Sequence, residues 1–150
     1  EILVGAIRTM EPLMKKKDLN LQMSKTWPSF LVKADQRRSV QVLINLLSNA
    51  IKHSPEKRNI SLRTLMMEDE VLIEIQDEGQ GVQPEFQDQL FKRFTTHGTT
   101  QDLSNVGMGL GLSVVKAVIE AQGGRVGFRN HEEGGAIFWF TMQTVPEESA

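Results

Sequence analysis

The chain has 150 residues, 39% of them hydrophobic, which is enough to bury one core, so we expect a single domain. Its 17 basic and 19 acidic residues give a net charge of -2, which excludes the broad basic surface of a nucleic-acid-binding or membrane-binding protein. The absence of cysteine excludes disulfides and thiolate metal sites and fits a reducing compartment, so we expect a cytoplasmic domain. We also expect the chain to be monomeric.

No apolar stretch approaches the roughly 20 residues that span a bilayer, and the N-terminus lacks the basic leader of a signal peptide. We therefore expect the chain not to be inserted in a membrane. Because the numbering starts at Glu1 rather than at a methionine, we expect a piece of a longer protein, whose other parts could include an inner-membrane anchor.

The first third of the sequence predicts a helix, two short strands and a second helix. Apolar residues at helical spacing predict a helix over residues 1–17, with lysines at its C-terminal end. Alternation over residues 19–24 and the apolar run 30–32 predict two short strands. Asp35 is placed to cap the next helix, which the apolar spacing extends to about His53.

The remainder alternates between strands and helices. Two segments with period-two alternation flank an acidic turn at Glu68-Asp69-Glu70, which predicts an antiparallel hairpin. The polar stretch from Thr95 to Asn105 has little apolar content to bury and predicts a mobile loop. The other predicted elements are strands at 60–65, 71–76, 125–129 and 137–144, a short helix at 84–91 and a helix at 112–121. This order predicts a two-layer α/β (α+β) sandwich, with a mixed, largely antiparallel sheet of about five strands covered on one face by about three helices.

The helix that ends near His53 carries the most informative pattern. Gln41, Asn45, Asn49 and Lys52 fall on one face, since successive residues turn by about 100°. Amides and a cation can hold a metal-bound polyanion without adding negative charge, although a solvated helix back with chance amides is the alternative. The opposite face carries an apolar stripe made of Val40, Leu43, Ile44, Leu47, Ala50 and Ile51.

Two glycine segments add to this pattern. Asp77-Glu78-Gly79-Gln80-Gly81-Val82 follows a predicted strand, and its glycines allow positive φ or close backbone approach, although an ordinary Asp/Gly turn is the alternative. Gly107-Met108-Gly109-Leu110-Gly111-Leu112 precedes a predicted helix, where backbone N–H groups and the helix dipole favour phosphate. The GxGxG order differs from the GxGxxG of dinucleotide-binding proteins, and the chain has no Walker motif.

Taken in order, these segments resemble the catalytic ATP-binding domain of sensor histidine kinases, within the GHKL (Bergerat-fold) group that includes DNA gyrase B, Hsp90 and MutL. The resemblance spans essentially the whole chain and implies a flexible ATP lid over about residues 94–106. The matching segments are residues 41–55 with the N box, 77–81 with the first glycine box, 91–94 with the F box, 107–112 with the second glycine box and 134–138 with the closing hairpin.

The resemblance implies roles for single residues. Asn49 would bind Mg²⁺, Asn45 would support the metal and phosphates, and Lys52 would contact phosphate, so these three are the implied catalytic residues. Asp77 would accept a hydrogen bond from the adenine amino group, which favours ATP over GTP. The implied nucleotide-binding set is Asn45, Asn49, Lys52, His53, Asp77, Gly79, Gly81, Val82, Phe94, Gly107, Met108, Gly109, Leu110, Gly111 and Leu112.

The resemblance also implies partners outside the chain. The family's phosphate-accepting histidine lies on a separate dimerisation domain, and none of His53, His97 and His131 has its acidic sequence context. We therefore expect γ-phosphoryl transfer from ATP to that domain, a response regulator receiver domain downstream, and no autophosphorylation by the isolated chain. One alternative is an ATPase of the gyrase, Hsp90 or MutL type, which has a water-activating Glu where Asn45 stands. The other is a nucleotide-binding regulatory module without catalysis.

Further residues near the implied lid have less specific interpretations. Arg93 and His97 are candidates for contact with phosphate or with the partner domain. Phe91 and Phe94 are predicted to anchor the lid in the core rather than to stack on the base. A zinc site built from the three histidines is disfavoured because no pair has ligand spacing.

Overall fold

A computed structural model of the chain describes residues 1–23, 31–92 and 106–145, with the backbone alone for 106–110. Within these ranges no helix has the length and apolar composition needed to cross a membrane. The helices are α1 (Ile2–Lys16), α2 (Gln36–His53), α3 (Pro84–Gln87) and α4 (Val106–Ala121). The strands are β1 (Asn20–Met23), β2 (Asn59–Met66), β3 (Glu70–Gln76), β4 (Val126–Asn130) and β5 (Ala136–Gln143).

The five strands form one sheet in the order β1-β2-β3-β5-β4. Only β1 and β2 are parallel, and every other neighbouring pair is antiparallel. The hairpin around the acidic turn is formed by β2 and β3, whose register pairs Met66 with Val71. The mixed, largely antiparallel sheet expected from the sequence is therefore confirmed.

The long helices α1, α2 and α4 cover one face of this sheet, with α2 packed between the other two. The helix-facing side chains of the central strands are almost completely buried because they alternate with those on the other face. They include Ile60 and Leu62 on β2, Val71, Ile73 and Ile75 on β3, and Phe138, Phe140 and Met142 on β5. The chain is thus a two-layer sandwich with a single core between helices and sheet.

Helix α2 has the predicted bounds, and its start is capped by Asp35, whose carboxylate accepts a hydrogen bond from the Arg38 N–H at 3.0 Å. Its buried face is rotated relative to the predicted stripe. Val40 and Ile44 are only half-buried, whereas Val42 and Leu46, which the stripe omitted, are buried. The physical reason is that α2 contacts two helices as well as the sheet, so a wider arc of it is enclosed.

One predicted strand and two predicted helix boundaries are wrong. The run at 30–32 forms no strand in its described part, because Val32 makes only an isolated bridge with Thr144 before the cap of α2 begins. Helix α3 ends at Gln87 instead of Phe91, and the chain continues in turns. Helix α4 begins at Val106, six residues before the predicted Leu112, so the glycine segment forms its first turns rather than preceding it.

The face of the sheet away from the helices carries an ionic cluster. Glu74 on β3 is 3% exposed and accepts hydrogen bonds from Arg63 at 2.9 Å and from Arg129. Burial raises the pKa of Glu74, but the hydrogen bonds and positive charges of the two arginines outweigh it and hold the pKa below its ordinary value. Beside this cluster the ring of Trp139 covers Gly127, where a Cβ would lie 2.2 Å from the ring.

Candidate functional site

The polar residues of α2 lie side by side, as the helical spacing predicted. Gln41 donates a hydrogen bond from Nε2 to Asn45 Oδ1 at 3.1 Å, which orients the Asn45 amide. Asn49 lies at the border of the polar and buried arcs of the helix and is only 3% exposed, whereas Lys52 is exposed. The helix therefore presents three amides and a cation in a row, with the third amide, Asn49, recessed toward the core.

The C-terminal end of α2 abuts the first glycine segment. A Cβ at position 79 would lie 2.3 Å from the carbonyl oxygen of His53, so no residue larger than glycine fits there without moving the backbone. Gly79 also donates its N–H to Asp77 Oδ1 at 2.8 Å. The segment after β3 is thus held directly against the end of the helix that carries the amides.

Asp77 is a buried carboxylate at the end of β3, with 2% of its surface exposed. Its Oδ1 accepts hydrogen bonds from the N–H of Gly79 at 2.8 Å and of Ala136 at 3.2 Å. Burial raises the pKa of Asp77 above its ordinary value, while these two hydrogen bonds oppose the rise. Oδ2 accepts no hydrogen bond from the part of the chain that the structure describes. A buried carboxylate with one committed and one uncommitted oxygen is suited to accept a hydrogen bond from a ligand.

The turn between β4 and β5 packs on this segment. Gly134 and Gly135 have φ of 105° and 89°, in the left-handed region that favours glycine. A Cβ at Gly135 would lie 2.1 Å from the carbonyl oxygen of Asp77, and one at Gly134 would lie 3.9 Å from that of Gly79. The glycine pair that resembles the family's closing hairpin thus packs directly against the first glycine segment.

Asn130 holds the end of the first glycine segment in place, a role that the sequence did not indicate. Its side-chain amide makes two hydrogen bonds with the backbone of Val82, accepting from the N–H at 2.9 Å and donating to the carbonyl at 3.0 Å. Gly81 has φ of 77°, and a Cβ there would lie 2.8 Å from Asn130 Oδ1. An Asn before a turn is normally explained by turn formation, so no sequence signal distinguished this contact.

The second glycine segment comes next to the amides of α2. A Cβ at Gly111 would lie 3.5 to 3.7 Å from the side chain of Asn45, so the start of α4 and the polar face of α2 are neighbours. Because α4 begins at Val106, the N–H groups of Gly107, Met108 and Gly109 belong to its first turn, where no intrahelical partner is available. Leu112 is 6% exposed and packs in the core.

Several residues of the predicted site are described only in part or not at all. Phe94, Arg93, His97 and the implied lid up to residue 105 lie outside the described residues, and for Leu110 only the backbone is described. Phe91 packs edge-on against Phe138 with ring centroids 6.4 Å apart, in agreement with its predicted role in the core. His131 lies in the turn between β4 and β5, where its Nδ1 accepts a hydrogen bond from the Glu133 N–H at 3.1 Å.

The structure therefore gathers three kinds of group around the C-terminal half of α2. Amides and a cation come from α2, a buried carboxylate from the end of β3, and backbone donors without intrahelical partners from the first turn of α4. The amide oxygen of a recessed Asn is a ligand type that Mg²⁺ accepts, and free N–H groups at a helix start favour phosphate. The donor set fits a nucleotide held at its base by the carboxylate and at its phosphates by the helices.

Residues 34–146 match the family model described as histidine kinase-, DNA gyrase B- and HSP90-like ATPase. The chain belongs to this family. Among curated relatives, the sensor protein KdpD of Clostridium acetobutylicum is 37% identical over 132 residues, which are 88% of this chain and 14% of that protein. The chain thus spans about a seventh of the length of this relative.

The chain also resembles solved structures of histidine kinases in its fold. The catalytic domain of histidine kinase ThkA superposes with a TM-score of 0.83 and 29% identity, covering 97% of this chain and 92% of the other. ThkA in complex with response regulator protein TrrA matches with a TM-score of 0.79, 26% identity and coverage of 98% and 40%. Full-length ShkA in complex with AMPPNP matches with a TM-score of 0.79, 28% identity and coverage of 96% and 30%. The chain has the histidine kinase catalytic domain fold.

Proposed function

We propose that the chain is the ATP-binding catalytic domain of a sensor histidine kinase, transferring the γ-phosphoryl group of ATP to a histidine on a separate dimerisation domain of the same protein. The observation that carries this proposal is the buried Asp77 carboxylate, packed by Gly79 against the helix that bears Asn45, Asn49 and Lys52. The family match supports ATP as the ligand. The similar structure of ShkA, which is in complex with AMPPNP, supports the same conclusion.

The geometry supports one role for each group. Oδ2 of Asp77 is the acceptor for the adenine amino group, because Oδ1 is already held by two backbone donors. Asn49 offers its amide oxygen to Mg²⁺, and Asn45, oriented by Gln41, supports the metal and the phosphates. Lys52 and the N–H groups of residues 107–109 contact phosphate oxygens. Mg²⁺, when bound, neutralises charge that develops on the phosphates.

In the proposed reaction, the bond between the γ-phosphorus and the β,γ-bridging oxygen breaks, and a bond to an imidazole nitrogen forms. The chain contributes position and electrostatic stabilisation rather than a nucleophile. ADP leaves with the bridging oxygen, and the phosphohistidine passes its group to a response regulator receiver domain. The complex of ThkA with TrrA supports a response regulator as the downstream partner.

Asn45 is the residue that favours a kinase over an ATPase. It lies one helical turn before Asn49, where the alternative requires a carboxylate that takes a proton from water. An amide cannot take that proton at neutral pH, and the Asn45 oxygen already accepts a hydrogen bond from Gln41 at 3.1 Å. Water is therefore poorly activated at this position, and the γ-phosphate is preserved for transfer.

The proposed domain organisation follows the same reasoning. The 150 residues form one catalytic domain, with the N box at about 41–55, glycine boxes at 77–81 and 107–112, the F box at 91–94 and the lid at about 94–106. The dimerisation domain lies elsewhere in the parent protein. We place the catalytic domain in the cytoplasm because its phosphate donor is a cytoplasmic nucleotide, and we propose that the isolated domain is a monomer.

Calorimetric titration of the purified chain with ATP tests the binding half of this proposal. We expect Mg-dependent binding that weakens with EDTA and that is much weaker for GTP, because guanine presents a carbonyl where adenine presents an amino group. Incubation with γ-labelled ATP tests the transfer half. Label is expected on an added dimerisation domain and not on the isolated chain.

Two outcomes would replace the proposal with its alternatives. Rapid steady-state release of phosphate by the isolated chain would favour an ATPase of the gyrase or Hsp90 type. Tight ATP binding with no label on any dimerisation domain that precedes this chain in its parent protein would favour a regulatory nucleotide-binding module.

A further inference from the structure

The end of α1 is tied to the end of α2 by one side chain. Lys17, the residue that follows α1, donates hydrogen bonds from Nζ to the carbonyl oxygens of Ile51 at 2.7 Å, Ser54 at 2.6 Å and Lys52 at 3.4 Å. An ammonium group has three donors, so this arrangement uses its full hydrogen-bonding capacity. Lys17 is itself half-buried by the contact, whereas the neighbouring Lys15 and Lys16 are exposed.

Two of these carbonyls, those of Ile51 and Lys52, belong to the last turn of α2, and that of Ser54 follows directly after it. The last four C=O groups of a helix have no intrahelical partner and carry the negative end of the helix dipole. Lys17 supplies both the missing donors and a compensating positive charge. At the same point the backbone N–H of Lys57 donates to the carbonyl oxygen of Lys17 at 3.1 Å, which fixes the lysine from the other side.

The carbonyl that Lys17 does not hold faces the proposed nucleotide site. The carbonyl oxygen of His53 lies against Gly79, where a Cβ would be only 2.3 Å away. The last turn of α2 is therefore held on one side by the Lys17 ammonium group and on the other by the segment that starts at Asp77. A shift of this turn would move Lys52 and change the distance between α2 and the buried carboxylate.

We infer that Lys17 is a positioning residue for the nucleotide site, which clamps the last turn of α2 so that Lys52 and the Gly79 contact stay in register with bound ATP. The inference rests on the proposed function and deepens it. Lys17 acts through the backbone of α2 and has no role in touching the substrate. The sequence pattern of three lysines at a helix end indicated only a favourable dipole interaction and did not single out Lys17.

A Lys17→Met variant tests the inference, because methionine keeps much of the aliphatic stem and removes the charge and all three donors. We expect the dissociation constant for Mg·ATP to rise about tenfold, which corresponds to the free energy of one to two ordinary hydrogen bonds. Lys17→Arg keeps the cation and its donors, so its dissociation constant should lie between those of the wild type and Lys17→Met. The matched control is Lys16→Met, which alters an exposed lysine on the same helix end and should bind ATP like the wild type.

A second control separates positioning from plain stability. Val71→Ala removes buried methyl groups at the hairpin end of β3, at the opposite end of that strand from Asp77, and lowers the melting temperature without altering any residue of the proposed site. Titrations are run well below the melting temperature of every variant. We expect Val71→Ala to keep the wild-type dissociation constant and Lys17→Met to lose affinity even when both are fully folded.

The outcomes are distinguishable. Wild-type affinity in folded Lys17→Met, with a lowered melting temperature alone, would reduce Lys17 to a helix cap and overturn the inference while leaving the proposed function intact. Loss of affinity in Lys17→Met and Val71→Ala alike would also overturn it, because destabilisation would then explain both. Failure of the wild-type chain to bind Mg·ATP would overturn the proposed function and the inference together.

Discussion

Replacing Asp77 by asparagine changes one atom of a buried side chain and tests the site at its base-binding end. Oδ1 of Asp77 is fixed as an acceptor because the N–H groups of Gly79 and Ala136 both donate to it, at 2.8 and 3.2 Å. The amide of an Asp77→Asn variant therefore keeps its oxygen at that position. Its NH₂ group must occupy the place of Oδ2, where it presents a donor to the donor of adenine.

The expected magnitude follows from the bond that is lost. A hydrogen bond to a charged acceptor contributes about 1.5–3 kcal/mol, which corresponds to a loss of ATP affinity of roughly 10- to 150-fold. The free energy of unfolding of the unliganded Asp77→Asn chain, by contrast, should rise or stay unchanged. Because burial raises the pKa of Asp77, its ionised form opposes folding at neutral pH, and a neutral amide removes that penalty.

Calorimetry with Mg·ATP and Mg·GTP, together with urea unfolding at neutral pH, measures both effects. The amide donor can pair with the guanine carbonyl, so the preference for ATP over GTP should shrink or reverse. Glu78→Gln is the matched control, since it removes the same charge from the exposed neighbouring residue. Unchanged ATP affinity in folded Asp77→Asn would refute the assignment of Oδ2 as the adenine acceptor.

Three further predictions follow from contacts in the sheet and the β4–β5 turn. Glu74→Gln should lower the free energy of unfolding by about 1–3 kcal/mol at neutral pH. Since the fold lowers the pKa of Glu74, its stabilisation is present above the ordinary value of 4.5 and is lost as pH falls through the folded pKa, so urea unfolding curves of variant and wild type should converge in acid. Gly135→Ala should destabilise by about 2–4 kcal/mol through overlap with the Asp77 carbonyl, whereas Gly134→Ala, with a similar φ but no close neighbour, should cost less in thermal denaturation. Asn130→Leu should lose the two hydrogen bonds to Val82 and weaken ATP binding in a titration, and equal affinity would show that Asn130 serves the fold alone.

The fold was predictable where local rules agree. The bounds of α2 follow from the cap at Asp35, the apolar periodicity and Pro55, each of which acts within a few residues. The β2–β3 hairpin follows from alternation around an acidic turn for the same reason. Predictions failed where a boundary depends on distant contacts, as at Val106, where the glycine-rich start of α4 becomes helical although glycine disfavours helix.

The candidate site, too, was predictable only where it depends on local sequence. Periodicity alone placed Asn45, Asn49 and Lys52 on one helix, and the order of the glycine segments was enough for the family resemblance. No local sequence pattern could show whether those segments contact one another in the fold. The contact between Gly111 and Asn45 joins residues 66 positions apart, and it requires α4 to pack beside α2.

The sequence by itself determined where most of the helices and strands lie and which side chains have the chemistry to hold a nucleotide, because hydrophobic spacing, caps and glycine act over one or two turns. The tertiary structure alone decided that β5 lies between β3 and β4, that Gly135 closes on Asp77, that Asn130 holds Val82 and that Lys17 takes the carbonyls at the end of α2. Apart from the pairing of β4 with β5, each of these contacts joins residues more than 30 positions apart in the chain. They form because packing the helices on the sheet brings buried polar groups together, and burial then requires that those groups find partners.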